Sequence, residues 1–409
     1  MHWLRWMFAL LCCLSLFACG DDDDDDNDAT DDDDDASDDD DDASDDDSSL
    51  TDDDDDAAPP VFGDDLVYSG EDGLRVLLDD GKGYGEPIVL DPDIEANDIA
   101  VVDFNDDGDT DIVVSSYQGI DVLFNQGNGA QYNKVNNVNL HFPDDIVAAD
   151  FTGDGIPDLA GYSYNDKQVY LYVHDGEGRL AETEIADLSE YSVVSMIAAD
   201  FNNDGRPDLA LGARKYLYLY TNNGDGVFAR SERFSGYYAS FWFESLVAHD
   251  LNGDGNLDVI ATFSHGELFI LHGNGDGTLT EAEVVDLDTN YLNLMTAADF
   301  DLDGNLDLVL GNLCVDYGCV GILYGRSDGT FHQPDTFFDA EGNLFLAVAQ
   351  TGGDEYPDLI VAYEDWDAKG PTPDKHMGVL PGKGELGFGP LTRLDENVEV
   401  IRAADLDGQ

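Results

Sequence analysis

Basic residues are what this sequence has least of. Seventeen Lys and Arg stand against 91 Asp and Glu in 409 residues, a formal net charge of −74. That balance excludes a general electrostatic attraction to nucleic acid or to anionic lipid headgroups, both of which require a positive surface. Long apolar runs are scarce too. The longest, residues 7–17, is too short to span a bilayer as a stable helix. Familiar catalytic patterns are missing: the eight His are scattered, neither H-E-x-x-H nor G-x-S-x-G occurs, and no phosphate-cradling glycine loop precedes a helix. Cysteine is limited to five residues, three of them within the first 19.

The charge is unevenly spread. Residues 21–56 contain 25 Asp and no basic residue, and the first 20 residues carry only Arg5, so residues 57–409 retain a net −50. A folded domain that acidic must neutralise carboxylates with bound cations or live in high salt, because self-repulsion opposes compaction. The N-terminus reads as an export signal, with Arg5 as its basic flank and residues 7–17 as its apolar stretch. The stretch ends Leu16-Phe17-Ala18-Cys19, which resembles the lipobox of bacterial lipoproteins and implies lipidation of Cys19. The competing reading is an ordinary secretory peptide cut near Ala18. Residues 1–19 are therefore expected to be a signal, and residues 20–60 an extended, self-repelling tether. A calcium-collecting brush is the sharper alternative for the tether. The expected location is the cell surface or the periplasmic face of the outer membrane.

From Val61 to the end one unit recurs. The copies read AVVDFNDDGDTDIVV, VAADFTGDGIPDLAG, IAADFNNDGRPDLAL, VAHDLNGDGNLDVIA and TAADFDLDGNLDLVL, with weaker AVAQTGGDEYPDLIV and a final IRAADLDGQ. Their first loop positions, Asp103, Asp150, Asp200, Asp250, Asp299, Gln350 and Asp405, lie 47, 50, 50, 49, 51 and 55 residues apart. A period near fifty fits a four-stranded propeller blade. An Ala-rich strand before each loop suits convergence on an axis. Glycine-rich hairpins such as NNGDGVF and HGNGDGTL supply the positive φ of tight turns. The domain begins with a half-repeat at Asp65 and ends with the complementary half at Asp405. The expectation is an all-β, seven-bladed β-propeller over residues 61–409, closed by pairing the N- and C-terminal strands in one blade. A truncated gene product is the alternative reading of those ends.

Five loops fit D-x-[D/N/T]-x-D-G-x-x-D. Oxygen side chains at positions one, three and five converge when such a loop curls. Glycine at six permits the turn, the carbonyl at seven can add a ligand, and Asp at nine closes the set. All-oxygen donors with several carboxylates favour Ca²⁺. The expected ligands are Asp103, Asn105, Asp107, Asp111 and the Asp109 carbonyl in the first loop. The second offers Asp150, Thr152, Asp154 and Asp158, and the third Asp200, Asn202, Asp204 and Asp208. The fourth and fifth offer Asp250, Asn252, Asp254 and Asp258, then Asp299, Asp301, Asp303 and Asp307. About five ions follow. At the next loop Gln350 and Gly352 replace two donors, so that loop is expected to be empty or weak. Turn chemistry without metal is the competing reading. An EF-hand is excluded because position 12 is apolar or small and both flanks read as strands.

These units resemble the FG-GAP/VCBS repeats of integrin α-chain propellers and many bacterial surface proteins. The resemblance implies a seven-bladed propeller with Ca²⁺ on one face and, in integrin-like members, ligand on the other. It leaves the ligand open, glycan or protein, and gives no reason to expect an enzyme. A polysaccharide lyase or hydrolase on the opposite face is the alternative, and a monomer is expected. Candidate ligand-binding aromatics on that face are Tyr237, Tyr238, Trp242 and Trp366, with Tyr162 and Tyr164 in neighbouring loops. Packing between blades is the competing role for each. Cys314 and Cys319 flank a four-residue hairpin, and in an oxidising compartment they are expected to pair.

Overall fold

A computed structural model describes residues 64–407, apart from 189–191, 215, 236–242, 265, 281–282, 288, 290–291, 314–318, 340–344, 352–353, 366–373, 385–386 and 397. The described chain is all strand and turn, arranged as seven antiparallel four-stranded sheets. In blade 2 the strands run Ala96–Val102, Asp111–Ser116, Gly119–Asn125 and Tyr132–Asn137, in that spatial order. Blades 3 to 7 repeat this plan, with inner strands Asp145–Ala149, Val193–Ala199, Phe243–His249, Leu294–Ala298 and Phe345–Ala349. Blade 1 is composite. The C-terminal strand Val398–Ala404 pairs with Asp65–Gly70, placing Leu66 opposite Ala403 and Tyr68 opposite Ile401. Gly73–Leu77 and Ile88–Asp91 complete it.

The seven first strands touch one another in cyclic order, the C-terminal strand lying between those of blades 7 and 2. Their Ala-rich ends are what make this possible, since small side chains let seven backbones crowd one axis. Closure joins the two ends of the domain in one sheet and leaves no free inner edge.

Both faces of each blade are covered, which explains the sequence patterning. In strand Tyr216–Asn222 the tyrosines Tyr216, Tyr218 and Tyr220 pack against blade 3 residues such as Tyr162 and Leu171. The intervening Leu217 and Leu219 pack against Phe243, Val259 and Phe269 of blade 5. A period of two therefore sorts side chains between two neighbours rather than between core and water. Seven such apolar layers run between successive blades. Each fully buried Leu or Phe there contributes about 1.5–3 kcal/mol.

The hairpin between the third and outer strands also reaches the preceding blade. Gly226 donates its amide to the Phe151 carbonyl at 3.1 Å, and the Asn222 side chain donates to the same carbonyl at 2.8 Å. Gly226 has φ +68°, and a Cβ on it would lie 2.4 Å from Leu171 Cδ2, so only glycine makes this approach. The same contact recurs from Gly277 to the Phe201 carbonyl and from Asn125 to Leu406.

Candidate metal centres

Each acidic loop follows an inner strand and returns into the second strand of its blade. Its first carboxylate organises the curl. In the five full loops one oxygen of Asp103, Asp150, Asp200, Asp250 or Asp299 accepts the amide of position five, at 3.0–3.2 Å. The other oxygen accepts the amide of the position-six glycine at 2.7–2.9 Å. The position-five carboxylate in turn accepts the amide of position seven, as Asp204 does from Arg206 at 3.1 Å. Position three behaves alike where it is Asn or Asp: Asn105, Asn202, Asn252 and Asp301 each accept the amide two residues on. The position-six glycines carry φ from +81° to +91°, the left-handed region that the turn demands. These bonds tie the acidic positions into one curl, but among the described residues only the blade 6 loop brings three of its own carboxylates within 4.8 Å of one another.

The ninth aspartate behaves differently. Asp208 is 1% exposed, and its two oxygens accept the Asn222 amide at 2.7 Å and the Phe201 amide at 3.2 Å. One carboxylate thereby ties the inner loop to the start of the outer hairpin. The same pair of bonds is made by Asp111, Asp258, Asp307, Asp358 and Asp65, and in blade 3 by Asp158 to His174 and Thr152. All seven blades have this staple. Blade 7 is decisive for its role. There Gln350 has replaced the first carboxylate, and its side-chain amide donates to the carbonyls of Asp354 and Tyr356, yet Asp358 and its two backbone bonds remain.

At Asp111, Asp158, Asp208, Asp307 and Asp358, burial, reinforced by loop carboxylates nearby, raises the pKa. Asp111 and Asp307 are pushed up to about 7 and Asp208 to about 6. Asp158 and Asp358 shift the same way, chiefly through burial. A divalent cation would relieve this crowding. The geometry of blade 6 fits one: Asp299, Asp301 and Asp307 each offer an oxygen, all within 4.8 Å of one another.

A further set of this kind was not among the five sequence-derived loops. Asp65, Asp405 and Asp407 bring their oxygens within the same 4.8 Å, beside the pairing of the first and last strands of the propeller. Asp65 is the ninth aspartate of that loop, supplied from the other end of the domain, and it too is pushed up to about 7. The signal was present in the final AADLDG, which carries Asp at positions one and three as the fifth full loop does, while Asp65 stands at the ninth position from the other end of the domain.

The opposite ends of the strands carry the remaining loops. Tyr162 is not available there: it is 2% exposed and packs in the layer between blades 3 and 4, because it belongs to strand Asp158–Ser163 rather than to the loop. Tyr164 is 45% exposed, and Tyr117 is 46% exposed with its ring edge-on to Phe142. Tyr237, Tyr238, Trp242, Trp366, Cys314 and Cys19 lie outside the described residues. Cys319 is fully buried at the start of strand Cys319–Leu323.

Comparison with known proteins gives a consistent picture. The family described as FG-GAP-like repeat matches residues 103–161, 150–211, 200–261 and 250–310, which together span just over half of the chain. Among solved structures, an Agrocybe aegerita lectin that recognises non-reducing terminal N-acetylglucosamine is 19% identical, with a TM-score of 0.62, over 84% of this chain and 96% of the lectin. A periplasmic gluconolactonase of Pseudomonas aeruginosa is 14% identical, with a TM-score of 0.55, over 84% of this chain and 99% of its own. At these identities the likeness is one of fold. A search of curated protein sequences found no match.

Proposed function

Because the chain belongs to the FG-GAP-like repeat family, we propose that it is an exported, lipid-anchored binding module. Its propeller is stabilised by calcium, and its ligand, a glycan or a protein, docks on the face opposite the metal loops. The observation that carries this reading is the recurrence of one oxygen-donor curl in five loops, with positions one and five held in the same hydrogen-bonded frame in all five and position three in four. Asp103, Asn105, Asp107, Asp111 and the Asp109 carbonyl would hold one ion, and the equivalent residues of blades 3 to 6 the others. The bound ion supplies neutralising charge. The chain supplies a frame whose ninth aspartate already joins two strands, so an ion there adds to an existing cross-link. Dissociation constants on the order of 10⁻⁴–10⁻³ M suffice outside the cytoplasm. No catalytic step is required of the metal.

The glycan half of the proposal is tested by binding to a glycan array in calcium and in chelator, with terminal N-acetylglucosamine included because the Agrocybe aegerita lectin recognises it. Saturable binding without turnover supports the module. Turnover supports the second reading, an enzyme acting on polysaccharide. One observation favours that second reading: Glu244 stands at a β-bulge at the start of a blade 5 inner strand, at the end away from the metal loops. It is 4% exposed with Oε1 unpartnered, and burial pushes it up to about 8. Bulged, buried acids are common beside active sites. Replacing Glu244 with Gln would abolish turnover if that reading held and leave binding intact if it did not. Metabolic labelling with a fatty acid, lost on Cys19→Ser, tests the anchor.

A further inference from the structure

Three ionisable side chains meet near the axis, away from every loop described above. Arg402 stands on the C-terminal strand, opposite Val67. It forms an ion pair with Asp98 on the inner strand of blade 2 and donates a second bond to the Ile401 carbonyl at 2.8 Å. The other Asp98 oxygen accepts the Ile146 amide at 3.0 Å, which places this carboxylate on the inner strand of blade 3, beside Asp145. Asp98, Asp145 and Arg402 are 5%, 8% and 5% exposed, and Asp145 Oδ2 has no hydrogen-bond partner. Among the described residues, Asp144 also acts on the cluster and accepts the Tyr164 amide at 2.6 Å, and Tyr162 stands directly across the sheet from Asp145.

One guanidinium cannot balance two buried carboxylates. An uncompensated charge at such depth is strongly unfavourable, whereas a proton on one of two adjacent carboxyls restores neutrality and supplies the missing hydrogen bond. We propose that Asp98 and Asp145 share one proton, and that this proton sets how firmly Arg402 holds the closing strand to blades 2 and 3. The clasp joins residues from both ends of the domain at its only composite blade, so it is a pH-sensitive lock on ring closure. Burial and the neighbouring Asp98 charge both raise Asp145 well above the ordinary carboxylate range, against the opposing pull of Arg402. A raised carboxyl stabilises the fold at low pH and withdraws that stabilisation as pH climbs through its folded value. Alkaline conditions therefore loosen the seam.

Either single neutralisation leaves one acid for one guanidinium and removes the need for the proton. The test is thermal unfolding of the full chain in excess Ca²⁺, from about pH 5 to about pH 9, for wild type, Asp145→Asn, Asp98→Asn and the control Asp144→Asn. The expected result is a wild-type Tm that falls with pH more steeply than that of either Asp145→Asn or Asp98→Asn, while Asp144→Asn runs parallel to wild type. Other titrating carboxylates are common to all four proteins and cancel in the differences, whether or not calcium occupies the loops. Parallel profiles for wild type and whichever of the two clasp variants folds would overturn the proposal.

Discussion

Replacing Asp208 and Asp204 separately, each by Ala, distinguishes the two kinds of loop carboxylate. Asp208 is buried and accepts the Asn222 amide at 2.7 Å and the Phe201 amide at 3.2 Å. Its removal strands two buried donors, each costing about 1–3 kcal/mol, so Asp208→Ala is expected to lose about 2–6 kcal/mol. That is a large share of the roughly 5–15 kcal/mol that holds a typical domain folded. Asp204 is exposed; it accepts the Arg206 amide at 3.1 Å and pairs with the Arg206 side chain, an exposed contact worth about 0–1 kcal/mol. In chelator, denaturant unfolding should therefore show a large loss for Asp208→Ala and almost none for Asp204→Ala. Calcium should raise the stability of wild type more than that of Asp204→Ala. Because burial pushes Asp208 up to about 6, the stability its protonated form contributes is lost as pH rises from about 4 to about 6, so the metal-free contrast is larger at about pH 4 than at about pH 7. Asp358→Ala extends the test to a blade without the ligand set, where the loss should be similar and indifferent to calcium. Unchanged metal-free stability in Asp208→Ala and Asp358→Ala would refute the staple.

Other outcomes follow from the same geometry. Asp65, Asp111 and Asp307 are pushed up to about 7, so the metal-free chain should lose stability as pH rises from about 4 to about 7. Excess calcium should flatten or reverse that slope, since the ion binds the deprotonated form; unfolding midpoints across the range decide it. Asn222→Ala removes donors to the Phe151 and Pro207 carbonyls and an acceptor for Gly224, and should cost about 2–4 kcal/mol by denaturant unfolding. If Cys314 and Cys319 pair, thiol labelling of either should require reduction, and the short closed loop is worth about 2 kcal/mol on the chain-entropy account.

The architecture was legible because it repeats. A period near fifty, an Ala-rich strand and a glycine hairpin define a blade wherever they occur, and the complementary ends at Asp65 and Asp405 foretold the composite blade. Tyr162 was misplaced by one strand end: two residues separate it from exposed Tyr164, and only the actual turn position tells them apart. The division of labour within a loop was hidden as well. Spacing marks an aspartate as available, but that the ninth carboxylate accepts an amide of the outer hairpin shows only once the hairpin folds back. Gln350 with Asp358 retained was the clue, since loss of the first donor did not release the ninth. Arg402, Asp98 and Asp145 are joined only by closure of the ring, so no local pattern could link them.

The central claim is that the repeated loops are cation sites which stabilise the propeller. The most direct test is a metal count on the purified chain by mass spectrometry, paired with thermal unfolding in excess Ca²⁺, excess Mg²⁺ and chelator. About five bound calcium ions and a Ca²⁺-specific rise in Tm are expected. A chain that binds no metal and melts at the same temperature in all three solutions would contradict the claim.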